Sequence, residues 1–524
     1  MSTKPLLSDA SSVLPTERGF ARQHSGGDDA ARRASDEEIA LKHAALVTTF
    51  REGRTKDYAW RMEQLAALKR MVLEKSEEMI DGLQQDLGRP KLETFLPEVC
   101  GVISEIEFFE QRLHKWMKPE RVATPGSQLP AQSEIVREPK GVVLIIAPWN
   151  FPVMLCIKPL VAALAAGNCV MVKPSELTPS AERIIAELPK YVDPSAVGVV
   201  LGAVPESTAL LKLRWDHILY TGNGAIGRVV ARAAAEYLTP VTLELGGKSP
   251  TLVLPGANVQ VAARRILVSK FMNMGQICVA PDYALVHKDI EAEVAAELMR
   301  VMREWFGEDA SKSDSLARIV TKGHAQRIQG LLESAGGEVT ALGKADIEAK
   351  FIPPTLIRSP KVDSAIMTEE IFGPVLPIMK MDSVESMIEH VNAGEKPLAL
   401  YIFGPPAAAK DIIARTSSGS VCVNDTIFQI ANPNMPFGGV GASGVGRYNG
   451  KFGFDEFSHQ RAVMYRSTWL DPAMRYPPYK EESLQLFRKI ILGPLVPPAV
   501  KKACRFLVAI GVGIAACAAF MLLL

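Results

Sequence analysis

From Gly141 to Leu245 the chain alternates short apolar runs with amphipathic ones, and few folds accommodate that rhythm. Gly141–Ala147, GVVLIIA, contains no polar side chain, as a strand covered on both faces requires. Further strands are expected at Cys169–Lys173, Val197–Val204, His217–Tyr220 and Val241–Leu245. Helices are expected between them, at Leu155–Ala166, Pro179–Tyr191, Ser207–Leu213 and Ile226–Leu238. An α/β fold built on a parallel sheet with crossover helices satisfies this order, with ligand sites at the carboxyl ends of its strands. A second α/β set follows, with strands at Tyr283–His287, Val375–Met379, Leu398–Phe403 and Ser420–Asn424 and helices at Glu291–Trp305 and Gln326–Ser334. Upstream, Asp57–Leu87 places Leu65, Leu68, Val72 and Met79 at helical spacing, and Glu93–Met117 repeats the pattern. Pro119–Gln132 reads as a connector, and Ser133–Glu138 as one strand of a small antiparallel element.

The net charge of +1 gives no global basic field to recruit nucleic acid. The cysteines, at 100, 156, 169, 278, 422, 504 and 517, are scattered, with no CxxC and no zinc spacing. Free thiols in a reducing compartment are expected, with no metal site.

One thiol is placed differently from the rest. A helix-like run, Val259–Met274, delivers Gly275, then Cys278, then Pro281, within FMNMGQICVAPDY. The thiol therefore stands at an element end, where the backbone can bend. Glu244 lies on a strand that runs into a double glycine, in LELGGKSP. Asn150 sits between Trp149 and Phe151 in APWNFP, just past a buried strand. Thiol, carboxylate and side-chain amide supply nucleophile, base and oxyanion donor for chemistry at a carbonyl. A lone cysteine is ordinarily a small buried hydrophobe, which is how Cys156, Cys169 and Cys422 read.

Gly222–Gly227, GNGAIG, fits GxGxxG after a strand and at the start of a helix. Glu244 follows at about the distance of a ribose-binding acid. Taken alone, this describes an ordinary dinucleotide site.

These segments resemble the aldehyde dehydrogenase superfamily, and MGQICVAPDY is most similar to its class 3, fatty aldehyde branch. The resemblance runs from about Asp36 to Ser467. It implies that Gly222 and Gly227 lie near the cofactor pyrophosphate, and that Lys173 and Glu176 in VKPSE hold the ribose. Glu244 then belongs to catalysis. Glu176 could accept from both ribose hydroxyls and repel a 2′-phosphate, so NAD is favoured, with NADP use left open by Lys173. In EEIFGPVLP the resemblance puts Glu370 on the nicotinamide ribose and Phe372 beside the ring, and Trp149 is counted with the cofactor residues. Pro436–Ser458 is glycine-dense and again similar to class 3. Two positions depart from the class pattern: Asn449, where YHGK has His, and Phe151, where Tyr often follows PWN.

The implied fold is aldehyde dehydrogenase-like: two parallel-sheet domains and a small bridging sheet that builds a homodimer. Residues 36–125 and 141–246 form the NAD-binding domain and 247–445 the catalytic domain. Residues 126–140 and 446–470 form the bridging element. Residues 1–35 lack periodicity and read as a disordered tail.

Phe506–Leu524 contains 19 uncharged residues, preceded by Lys501, Lys502 and Arg505. As a helix it would span ~28 Å, close to a bilayer's hydrocarbon thickness. A C-terminal transmembrane helix over 501–524 is expected to anchor the protein in a lipid bilayer, with the catalytic part in the cytosol. The endoplasmic reticulum, outer mitochondrial membrane, peroxisome and lipid droplet all suit such an anchor. A linker over 471–500 carries the amphipathic pattern Glu481–Ile491, a candidate gate between site and membrane. The activity expected is NAD-dependent oxidation of lipophilic, medium- to long-chain aldehydes to carboxylic acids. A catalytically inactive membrane-tethered NAD-binding scaffold and an acylating enzyme that passes the thioester to coenzyme A are the alternatives.

Overall fold

The structure, a computed structural model, describes residues 33–125, 128, 130–471 and 473–492. Three sheets organise it. The first joins β3 (Val142–Ile146), β4 (Cys169–Lys173), β5 (Val197–Val199), β6 (His217–Thr221), β7 (Val241–Glu244) and β15 (Gly444–Val445), in the order β15-β7-β6-β3-β4-β5. All its pairings are parallel except β15 with β7. Alternate residues of β3 serve two cores, as strand geometry demands. Val143 and Ile145 pack with Leu65, Leu160 and Ile184. Val142, Leu144 and Ile146 face Ile39, Trp215 and Val230. Met154–Ala166 is apolar on every side and nearly all buried, which suits a helix enclosed by β3, β4 and the helices over 58–110. It ends at Gly167, whose φ of 93° supplies the left-handed cap.

The second sheet contains β8 (Pro250–Val253), β9 (Tyr283–His287), β10 (Glu338–Ala341), β11 (Thr355–Arg358), β12 (Val375–Met381), β13 (Ala399–Phe403) and β14 (Ser420–Val423), in the order β10-β11-β12-β9-β8-β13-β14. Only the edge strand β10 runs antiparallel. The third sheet is antiparallel and joins β1 (Glu120–Val122), β2 (Ala131–Pro139) and β16 (Ser458–Arg466).

The sequence pattern and the structure part in several places. The run Asp57–Leu87 is two helices, Tyr58–Glu74 and Ser76–Leu87, broken at Lys75. Glu93–Met117 contains a π-helical turn, Phe95–Cys100, before the helix Gly101–Glu110. The expected connector after Pro119 contains β1. The strand expected over Val197–Val204 stops at Val199, and a helix starts at Val204. At the amino end Ser35 caps the helix Asp36–Glu52, accepting from the Glu38 N–H, and the expected tail otherwise lies outside the described residues. The helix Glu481–Leu492 is present. The expected membrane anchor lies outside the described residues. Among the described residues no helix is long and apolar enough to cross a membrane.

Candidate active site

The helix Val259–Phe271 leads into three consecutive left-handed residues, Asn273 (φ 49°), Met274 (φ 55°) and Gly275 (φ 74°). Two of them carry side chains, which makes the turn costly unless tertiary contacts hold it. They do. The Asn273 N–H donates to Glu93 Oε2 at 2.8 Å. Gln276 Nε2 donates to the carbonyls of Asn273 (2.9 Å) and Arg318 (3.0 Å), and its Oε1 accepts from the Val320 N–H at 2.9 Å. A Cβ at Gly275 would collide with the Gly373 carbonyl, so the turn rests directly on the Phe372–Gly373 backbone. Beyond the turn, the buried Tyr401 hydroxyl donates to the Val279 carbonyl at 2.5 Å.

Cys278 emerges from this turn with its side chain half-buried. Burial pushes its thiol up to about 12, with Glu370 and Glu244 adding to the shift. Burial also pushes Glu370 up to about 8, with Asp282 adding to it, and Glu244 well above the usual carboxylate range. Glu370 is therefore mostly protonated near neutrality, and for Glu244 and the thiol alike burial is the largest cause of the shift.

Asn150 follows β3 and is buried. Its Nδ2 donates to the Gln276 carbonyl at 3.0 Å, which ties it to the Cys278 turn. An amide nitrogen carries two hydrogens, so a second donor remains. The Asn150 backbone is clamped by Arg89, which is completely buried. Arg89 donates to the Asn150 carbonyl, to Glu98 Oε1 (2.8 Å) and to Asn273 Oδ1 (3.1 Å), and lies 4.8 Å from the centre of the Phe151 ring. Glu98 Oε2 accepts from the Val153 (3.1 Å) and Met154 (2.6 Å) N–H groups. Burial pushes the Glu98 carboxyl up, against Arg89. Donors reach both of its oxygens, an arrangement suited to the carboxylate.

Glu244 ends β7 and is 2 % exposed. Neither of its carboxyl oxygens has a hydrogen-bond partner among the described residues. A buried carboxyl in that state can take or release a proton without breaking a protein contact. After it, Gly246 leaves room for Glu370, since a Cβ there would collide with the Glu370 carboxyl. The segment carrying Glu370 is fixed from three sides. Lys248 pairs with Asp282 and donates to the carbonyls of Ile366 (2.8 Å) and Glu369 (2.9 Å). Asp282 Oδ1 accepts from the Ile371 N–H at 3.0 Å. Arg327 donates to the carbonyls of Glu370 (3.2 Å) and Ile371 (2.6 Å). Phe372 has φ 48°, and its ring meets Trp149 edge-on at 5.4 Å.

Lys173 ends β4, and its ammonium donates to the Pro174 carbonyl (2.8 Å) and Glu176 Oε2 (3.2 Å). Lys173 is buried, while the Glu176 side chain is 35 % exposed and can reach a ligand. Gly222 follows β6, and a Cβ there would collide with the Tyr220 hydroxyl. Asn223 caps the helix Gly224–Glu236, its side chain accepting from the Ile226 N–H at 3.0 Å. Gly227 is buried one turn on, where a Cβ would come within 2.8 Å of Leu245, so it serves the packing of that helix on the sheet.

Cys278, Glu244, Asn150, Glu370, Phe372 and Trp149 thus converge, linked by the Gln276, Gly275 and Gly246 contacts above. Lys173, Glu176 and Gly222 form a second group beyond the carboxyl ends of β4 and β6. An acid after one strand, a capped helix after another and two aromatic rings beside a thiol fit a nicotinamide dinucleotide. Among the described residues no group of His, Cys, Asp and Glu could hold a metal ion. The sequence reading did not pick out Arg89, Glu98, Asn273, Gln276 or Asp282. For Asn273, Gln276 and Asp282 the signal available was position, since they fall inside or next to MGQICVAPDY; Arg89 and Glu98 have no such signal.

A dinucleotide-type sheet joined to a thiol, a buried carboxyl and a clamped amide defines a class, the dehydrogenases that work at a carbonyl carbon. The chain belongs to the aldehyde dehydrogenase family, whose model matches residues 24–463. It is 42% identical over 451 residues to aldehyde dehydrogenase family 3 member H1 of Arabidopsis thaliana, covering 85% of this chain and 93% of that one. It is 43% identical over 433 residues to the dimeric, NADP-preferring aldehyde dehydrogenase of Canis lupus familiaris, covering 82% and 95%. The substrate-bound structure of Staphylococcus aureus AldH superposes with a TM-score of 0.84 at 39% identity, covering 86% of this chain and 99% of that one. The fold is that of the family, and aldehyde oxidation with a nicotinamide dinucleotide is the family's activity.

Proposed function

We propose that this protein oxidises lipophilic, medium- to long-chain aldehydes to carboxylic acids with NAD, using Cys278, Glu244 and Asn150. The observation that carries the reading is the buried Glu244 carboxyl, without a hydrogen-bond partner among the described residues, beside a Cys278 turn tied to the Asn150 amide. Glu244, directly or through a water, takes the thiol proton of Cys278. The thiolate adds to the aldehyde carbon, forming a C–S bond and leaving the carbonyl oxygen negative. The second Asn150 N–H and the Cys278 backbone N–H hold that oxyanion. The oxyanion reforms its double bond, hydride leaves the same carbon, and a thioester remains on Cys278. Once Glu244 has released the thiol's proton to solvent, it takes a proton from the water that attacks the thioester; the C–S bond breaks to the thiolate, which takes the acid's proton and leaves carboxylate and thiol.

The nicotinamide, when bound, supplies the hydride acceptor. Lys173 and Glu176 hold the adenosine ribose, and Gly222 with the capped helix after it faces the pyrophosphate. Glu370 holds the nicotinamide ribose, with Trp149 and Phe372 beside the ring. The Glu176 carboxylate favours NAD over NADP by repelling a 2′-phosphate, and its ion pair with Lys173 weakens that preference.

Residues 501–524 anchor the protein in a bilayer, with the catalytic part in the cytosol, on the endoplasmic reticulum, outer mitochondrial, peroxisomal or lipid-droplet surface. The support is the sequence: 19 uncharged residues behind a basic cluster. An anchored enzyme meets aldehydes that partition into lipid, and the helix Glu481–Leu492 gates their access. The three-stranded sheet mediates a homodimer; its edge strand β16 leaves one side unpaired and exposes Met464 and Tyr465.

The test is NADH formation by the full chain on a ladder of aldehydes, beside Cys278→Ala, with products identified with and without coenzyme A. A rate that climbs with chain length and vanishes in the variant is expected. Equal rates on short polar aldehydes would refute the lipophilic preference. Cysteine-independent turnover would refute the mechanism.

A further inference from the structure

A line of hydrogen bonds runs over the face of the sheet that carries Glu244. Lys140 Nζ lies 3.1 Å from His217 Nδ1, and His217 Nε2 lies 2.9 Å from Thr242 Oγ1. The Thr242 hydroxyl donates to Glu456 Oε1 at 2.8 Å. The chain crosses four elements: the β2–β3 connection, β6, β7 and the helix Gly450–Glu456. His217 and Thr242 are completely buried, and Lys140 and Glu456 are half-buried at its two ends.

Its direction is fixed by chemistry. An ammonium only donates, so His217 Nδ1 accepts and the imidazole proton sits on Nε2. Thr242 Oγ1 takes that proton's hydrogen bond and spends its own on Glu456. Every donor therefore points toward the Glu456 carboxylate. Lys140 also acts on Glu456 as a nearby charge.

Thr242 and Glu244 lie two residues apart on the same face of β7, so the Glu456 carboxylate, bonded to Thr242, sits on the face that carries Glu244. A glycine keeps that place open. Gly446 has φ 81°, and a Cβ on it would come within 2.9 Å of Glu456 Oε1 and 3.1 Å of Thr242 Oγ1. Besides burial, Glu456 from the helix acts on Glu244, and Glu244 in turn acts on Cys278 and on the Tyr448 phenol from the segment before the helix.

We infer that Glu456 is a positioning residue for the base Glu244: a carboxylate oriented by the Lys140–His217–Thr242 chain and set on the face of β7 that carries Glu244. The inference rests on the reading of Glu244 as general base. An anion beside Glu244 makes its ionisation costlier, so Glu244 is a stronger base once it has ionised. After burial, Glu456 is the charged group that pushes Glu244 up.

The experiment is the pH profile of kcat/KM for the full chain and for Glu456→Gln, Glu456→Asp and Thr242→Val, with Glu244→Gln as reference. Loss of turnover in Glu244→Gln secures the base; retained turnover would remove that reading and this inference together. With the base secured, the acid limb is expected to move to lower pH by about half a unit or more in Glu456→Gln. Glu456→Asp keeps the charge and should restore the limb toward the parent. Thr242→Val leaves the carboxylate without its donor and should move the limb the same way by less, which keeps the test alive if Glu456→Gln does not fold. Superimposable acid limbs, an upward shift, or a fall in plateau rate with no movement of the limb would overturn the inference.

Discussion

The side-chain amide of Asn150 donates to the carbonyl of Gln276 over 3.0 Å, two residues ahead of Cys278. The proposed oxyanion donor and the proposed nucleophile are thereby held by one bond network. Both are tied to the segment that follows the left-handed turn at Asn273–Gly275. Asn150→Ala is expected to lower kcat by about 10²- to 10³-fold, the usual cost of one oxyanion donor. Steady-state kinetics on one aldehyde will show this as a kcat effect with KM little changed. A loss confined to KM would assign Asn150 to substrate binding instead.

Arg89 touches Glu98, Asn150 and Asn273 from a fully buried position. Removing its charge leaves the Glu98 carboxylate buried and unpaired. Arg89→Met is expected to destabilise the chain by about 3–5 kcal/mol, as breaking a buried pair does. Urea denaturation will measure it. The double variant Arg89→Met, Glu98→Gln should recover part of the loss, because no charge is then stranded. Equal losses in single and double variants would mean that the pair's charge is not what matters.

The sequence makes the chemistry legible because each proposed group ends an element whose pattern is strong. Val142–Ile146 before Asn150 and Cys169–Lys173 before Glu176 are uninterrupted apolar runs up to the final Lys173. What it hides is whatever depends on distant partners. Arg89 and Asn273 are far apart in the chain and meet only in the fold. The helix pattern runs on through Met272 and Met274, so nothing local announces that Asn273 and Met274 turn left-handed. The strand β16 reads SHQRAVMYR, whose mostly exposed residues carry no clear alternation. The strand β8 opens on Pro250, which masks a short central strand. Gly222–Gly227 matches a familiar motif, yet the buried Gly227 serves helix packing against Leu245. Motif spacing by itself does not separate those two uses.

Glu176 carries a half-exposed carboxylate paired with Lys173 at 3.2 Å. A 2′-phosphate placed near it meets like charge, which costs several kcal/mol when poorly solvated. Glu176→Gln is expected to raise kcat/KM with NADP relative to NAD by about tenfold, equivalent to ~1.4 kcal/mol. Lys173 is freed to meet the phosphate in that variant. Parallel titrations of the two cofactors at fixed aldehyde will give the ratio. An unchanged ratio would place the ribose elsewhere.

Lys270, on the helix that leads to the Cys278 turn, is completely buried, and its ammonium has no hydrogen-bond partner among the described residues. Burial pushes it down to about 8, only partly offset by Asp282 and Glu370. In the unfolded chain a lysine titrates near ~10.4. Between about 8 and ~10.4 the unfolded state therefore binds more protons than the folded one, and stability must rise with pH across that window. Below it the cost of the buried cation is fully present, on the order of 3 kcal/mol. Lys270→Met keeps the length of the side chain and removes the charge. It is expected to be more stable than the parent near neutrality by that order, and to lose the rise in stability at alkaline pH. Urea denaturation of both proteins across the window measures the slope and the offset together. A variant that is less stable at neutral pH would mean that the ammonium has a partner whose attraction exceeds its desolvation cost, with the Asp282–Lys248 pair beside it the first place to look.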